Sequence, residues 1–104
     1  MEEMKDKAEY IFEMIPCPAL YEQLAEEAAE MAHAALKLAR IWRKENPTPV
    51  QWQEGFNRLT EEISDVMLVL DVLGLEKDQE IVDQKIDRWL DRIREGERKS
   101  HGSL

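Results

Sequence analysis

Twenty-three consecutive residues, Leu20 to Trp42 (LYEQLAEEAAEMAHAALKLARIW), contain neither Gly nor Pro. They are drawn largely from Ala, Leu, Glu, Lys, Met and Gln, the strongest helix formers, so this stretch predicts one long helix. With Leu20 at 0° and about 100° per residue, Leu24, Met31, Ala35, Leu38 and Trp42 fall between about 0° and 60°, a single apolar stripe. Glu27 lands at about 340°, between Leu38 and Ala34 and inside that stripe. Glu30 lands at about 280°, on its margin beside Ile41 and Gln23 at about 300°. A carboxylate on the buried side of a helix costs free energy unless it is protonated, paired or bound to a metal.

The rest of the chain limits the answers. At 104 residues the sequence predicts a single domain, 1–104, with a modest core. An apolar content of 43% separates it from disordered acidic tails even though 36% of its residues are charged. The net charge of −9 argues against binding to nucleic-acid polymers or anionic membranes. It leaves room for a small anionic substrate held through a cation, because a bound metal inverts the local field. Cys17 is the only cysteine, which removes a disulfide framework and any Cys-based zinc site. There is no apolar run of membrane-spanning length and no signal-peptide pattern, so a soluble cytoplasmic protein is expected.

In chain order, Met1 to Ile15 is weakly amphipathic through Ala8, Ile11, Phe12 and Ile15, and Pro16 and Pro18 end it. The long helix is expected to fray near Lys44. The breaker-rich ENPTPV (45–50) connects it to a next helix that Thr48 or Pro49 could start. That helix runs from about Gln51 to Leu73, with Gly74 as its C-terminal stop. A last helix from roughly Lys77 to Glu95 is expected to bury Ile81, Val82, Ile86, Trp89, Leu90 and Ile93. Residues 97–104 read as a loose polar tail. The fold class is therefore all-α, a small bundle of three to four helices around an antiparallel central hairpin.

The third helix repeats the anomaly of the second. With Phe56 at 0°, its apolar arc runs from about 220° through 0° to 20° and holds Leu59, Ile63, Val66, Met67, Val69, Leu70 and Leu73. Glu62 sits at about 240° inside the arc, and Asp65 at about 180° on its edge. Residues three apart lie one turn apart on a helix and can converge on one ion. Glu30 precedes the end of its helix by about 14 residues and Asp65 follows the start of its own by about 14, so both lie roughly 21 Å from the turn. Glu27, Glu30, Glu62 and Asp65 are therefore expected at one level of the hairpin.

Four bare carboxylates at one point repel, so some protonate unless a cation sits among them. An all-oxygen set without Cys or His suits Mg²⁺, or Mn²⁺, better than zinc. The outward acids, such as Glu61, read as an ordinary solvated face. Glu30 and His33 do form the Glu-x-x-His of a di-iron site, but the partner helix offers no histidine and His33 lies outside the apolar arc. On the last helix Lys85, Arg88 and Arg92 form a basic row at about 340° to 40° with Ile81 at 0°. Such a row serves as salt-bridge partners or as a phosphate-binding strip. An acid-bound Mg²⁺ beside it suits metal-assisted attack on a phosphoanhydride.

QLAEEAAEMAHA, EEISDVMLVLDVL and KIDRWLDRI together resemble the all-α, MazG-like nucleoside triphosphate pyrophosphohydrolases. The hallmark of that superfamily is Glu-x-x-Glu on one helix and Glu-x-x-Asp on the next, matched here by Glu27 with Glu30 and Glu62 with Asp65. The resemblance spans roughly Leu20 to Ile93. It implies hydrolysis of a nucleoside triphosphate to a monophosphate and pyrophosphate, with Mg²⁺ held by the four acids. It also implies that Lys85 and Arg88, with Arg92 beside them, offset polyphosphate charge, and that the chain forms a homodimer or homotetramer. Glu30 or Glu26 is a candidate to accept the proton. Gln23, Glu26 and Asp71 are candidates for supporting the ligands, each with a plain surface role as the competing reading. Trp52 and Asn57 are weaker candidates for contact with a base. A rival from another class is a non-catalytic acidic helical module that interacts or regulates without turnover.

Overall fold

The structure, a computed structural model, describes residues 4–44 and 51–102. Among them are four helices and no strand: α1 (Met4–Met14), α2 (Cys17–Arg43), α3 (Trp52–Leu73) and α4 (Gln79–Gly102). The expected all-α class is observed. The connection 45–50, with the helix start proposed at Thr48 or Pro49, lies outside the described residues.

Local chemistry accounts for the helix ends. α2 begins at Cys17, ahead of the expected Leu20, because Pro16 is its N-cap and Pro18 lies in its first turn. Proline is tolerated there, since first-turn N–H groups have no acceptor within the helix. The first bonds come from Ala19 and Leu20, whose N–H groups both donate to the Pro16 carbonyl at 3.0 and 3.2 Å. α2 ends at Lys44 in the left-handed region, φ 58°. α3 ends at Gly74, φ 70°. The Gly74 N–H donates to Asp71 O at 3.1 Å and the Leu75 N–H to Leu70 O at 2.9 Å, a Schellman-type stop that glycine enters without a Cβ clash.

α4 starts at Gln79, where Asp78 Oδ1 accepts the Ile81 N–H at 3.2 Å and so caps an otherwise unpaired donor. It continues to Gly102, so residues 97–102 are helical where a loose tail was expected. Glu, Arg and Lys are good helix formers, and a Glu95–Arg98 pair at 3.5 Å adds a small i,i+3 contribution. A polar stretch need not be irregular.

α2 and α3 form the antiparallel hairpin. Trp42 meets Trp52, Leu38 and Ile41 meet Gly55, and Glu30 meets Glu62. α2 buries Leu20 and Ala34, with Leu24, Glu27, Ala28, Met31, Leu38, Ala39 and Ile41 half-buried, whereas Ala35 and Trp42 are exposed. The two buried residues fall at about 0° and 320° on the wheel, on either side of Glu27. α3 buries Gly55, Glu62, Val66, Val69 and Val72. That strip is centred at about 240°, the angle of Glu62. Phe56, Ile63 and Met67, at the other edge of the apolar arc, are exposed. One partner helix covers only one strip, and this arc is too wide for α2 alone.

α1 packs on α3, but α4 has no comparable packing on any helix. Of the α4 residues expected to be buried, Val82 is half-buried, and Ile81, Ile86, Trp89, Leu90 and Ile93 are exposed. The radius of gyration is 19.2 Å, against about 13 Å for a compact domain of this length. Among the described residues the architecture is a hairpin with α1 alongside and α4 projecting, and they form no closed four-helix bundle. No helix among the described residues is long and apolar enough to cross a membrane.

Candidate metal centre

Glu27 and Glu30 are one turn apart on α2, and Glu62 faces them from α3. One carboxylate oxygen from each lies within 4.8 Å of the others. Glu62 is only 3% exposed, Glu27 is half-buried and Glu30 is exposed. The cluster thus has one deep acid and one that opens to solvent. Three of the four acids read from the helical wheels therefore converge. Asp65, the fourth, is half-buried and outside that group, yet close enough to act electrostatically on Glu62.

The supporting contacts are specific. Gln23 Nε2 donates to Glu27 Oε1 at 2.7 Å, so the candidate support role of Gln23 has a geometric basis. Arg58 Nε lies 2.9 Å from Glu62 Oε1. Each contact uses one carboxylate oxygen, and the buried Glu27 Oε2 and Glu62 Oε2 have no hydrogen-bond partner. Two unpartnered buried acceptors on facing helices are costly. A cation between them would satisfy both, and the three acids form a group that could hold a metal ion.

Glu62 titrates above the ordinary glutamate range. Burial is the main cause, because it penalises the charged form; Arg58 works in the opposite direction. The charge of Glu30, a proton that neutral Glu62 can share with it, and the charge of Asp65 all push upward. A cation would reverse the balance by favouring the ionised carboxylates.

The other sequence candidates separate. Glu26 is exposed beside the cluster. Asp71 is exposed and lines a different groove, between α1 and α3. Lys85, Arg88 and Arg92 line a depression on α4 together with Trp89. Since α4 does not pack on the hairpin, the fold of one chain does not bring that basic row to the acids. Trp52 stacks on Phe56 with centroids 5.1 Å apart, and Asn57 accepts a 2.9 Å bond from Gln53. Both are engaged locally, away from the acid cluster.

Arg58 escaped the sequence reading. On the wheel it falls at about 200°, on the polar flank of α3, and resembles any surface arginine. Its position four residues before the inward Glu62 was the available signal, because i,i+4 places a cation beside an acid. Comparison with protein-family models, with curated proteins and with solved structures found no match to this chain.

Proposed function

We propose that this chain is a metal-dependent nucleotide pyrophosphohydrolase, converting a nucleoside triphosphate to its monophosphate and pyrophosphate, as its MazG-like helix motifs suggest. The observation that carries the reading is the convergence of Glu27, Glu30 and the buried Glu62, with unpartnered oxygens on two facing helices. Mg²⁺, or Mn²⁺, held there with Asp65 at the rim would supply positive charge against the phosphates and lower the pKa of a water. The chain's own groups do the rest. Gln23 fixes the rotamer of Glu27 and Arg58 that of Glu62, while exposed Glu30 or Glu26 takes the proton from the attacking water. That oxygen bonds to the α-phosphorus, and the α–β bridging oxygen leaves with pyrophosphate.

A homodimer or homotetramer belongs to the same proposal. α4 leaves Ile86, Trp89 and Ile93 uncovered, and α3 leaves Phe56, Ile63 and Met67. A second copy would cover these stripes, and through it Lys85, Arg88 and Arg92 could reach a site they do not reach within one chain. The test is a nucleotide panel with Mg²⁺, scored for pyrophosphate against orthophosphate. Pyrophosphate with monophosphate is expected, and release of γ-orthophosphate alone would overturn the assignment. The detachment of α4 from the acids is what favours the second reading, a non-catalytic helical module, which predicts no turnover with any nucleotide.

A further inference from the structure

Glu30 of the acid cluster also lines a larger space. This cleft, of about 690 Å³, is lined by Glu30, His33 and Lys37 of α2 and by Glu54, Gly55 and Arg58 of α3. Small residues, Ala29, Ala34 and Gly55, complete its lining, and of these Ala34 and Gly55 are buried. His33 and Lys37 are one turn apart on α2, and Glu54 and Arg58 one turn apart on α3. The cleft is therefore walled by polar side chains from both helices.

Its charge pattern has direction. The acid cluster touches the cleft through Glu30, and the cations Arg58 and Lys37 line it beyond. Among the described residues Lys37 has no ion-pair partner, and Arg58 commits only Nε, to Glu62. In a chain with a net charge of −9, the unpaired Lys37 beside Arg58, which Glu62 already engages, is a local inversion. Glu54 is the acid of that stretch and opposes an anion there. A ligand with a divalent cation at one end and negative charge trailing from it matches this order.

We propose that the cleft is the anion-binding half of the site: Lys37 and Arg58, with an N–H of His33, hold the phosphoryl groups of the substrate that extend beyond the metal. The assignment rests on the pyrophosphohydrolase reading for its substrate, and it places the polyphosphate on the hairpin itself and not on the basic row of α4. Arg58 then has two tasks, with Nε orienting Glu62 and its terminal nitrogens presenting a fork to a phosphate. Lys37 adds a point charge.

The test is calorimetric titration of the full chain with inorganic tripolyphosphate in the presence of Mg²⁺, with melting curves to confirm that each variant folds. Lys37→Gln is expected to weaken binding about tenfold, the loss of one charged hydrogen bond. Glu54→Gln is expected to tighten it a few-fold by removing the opposing charge. Lys77→Gln, outside the cleft, controls for the change in net charge and should leave affinity unaltered. Absence of tripolyphosphate binding, equal affinities for wild type, Lys37→Gln and Glu54→Gln, or loss only in Lys85→Gln and Arg88→Gln would each overturn the assignment. The probe is not a nucleotide, so the two readings fail separately. Nucleotide turnover can be absent while the cleft still binds tripolyphosphate through Lys37, or present while Lys37→Gln changes nothing.

Discussion

At the scale of single residues, Glu62 carries the most chemistry because it is both the deepest acid and the least satisfied. Its carboxyl titrates above the ordinary glutamate range, chiefly through burial. The folded state then holds a proton that the unfolded chain has already released, so stability falls as pH rises through that window. Below the window both states are protonated and the penalty vanishes; above the raised value it is complete. Thermal melts of metal-free protein should therefore show the melting temperature dropping as pH climbs from the ordinary glutamate range, and Glu62→Gln should flatten that dependence. Saturating Mg²⁺ should raise the melting temperature of the wild type near neutral pH but not that of Glu62→Gln. On the proposed reading Glu62 ligates the metal, so the same substitution should lower turnover by about a hundredfold or more.

Elements depend on close approach and clean stops. Gly55 packs under the side chains of α2, and a Cβ there would meet Ile41 Cδ1 at 3.0 Å and Leu38 Cδ1 at 3.2 Å. Flexible side-chain ends can shift a little for alanine, but Gly55→Val adds branches that they cannot clear. A loss of about 1–3 kcal/mol in denaturant unfolding is expected. Gly74 has φ 70° with open space around it, so Gly74→Ala is strained through the backbone alone, by about 1 kcal/mol. Lys44 adopts φ 58° at the matching stop of α2. Lys44→Gly should therefore stabilise by up to about 1 kcal/mol, the reverse of the change at Gly74.

For the whole molecule, the decisive quantity is surface. The chain exposes 8949 Å² for 12.2 kDa, where a compact monomer of that mass exposes about 6,100 Å². The excess, roughly 2,800 Å², is more than three times the about 800 Å² that a standard interface buries per partner. Trp89, 68% exposed on the apolar face of α4, lies at the centre of the uncovered stripe. Sedimentation at micromolar concentration should show an assembly of two or four chains, and Trp89→Glu should shift it toward monomer. A wild type that sediments as a compact monomer would sink the self-association reading.

Much of this was legible in residue order, and the reasons differ by feature. The helices follow from propensity and from Pro16, Pro18 and Gly74, all of them local effects. The placement of Glu27 and Glu62 within apolar faces follows from the helical period. Their common level follows from antiparallel pairing at a rise of about 1.5 Å per residue. Periodicity marks which face is apolar, but it does not say how much of that face a partner covers. Only the packed hairpin decided that α3 turns Glu62 to the centre of its contact and leaves Phe56, Ile63 and Met67 outside. Only it opened a cleft past Lys37. The sequence determined the local conformation and the acids that must be satisfied. Tertiary structure decided which apolar stripes stay unpaired and which cations stand near the acids, because those depend on distances between helices, which no local rule contains.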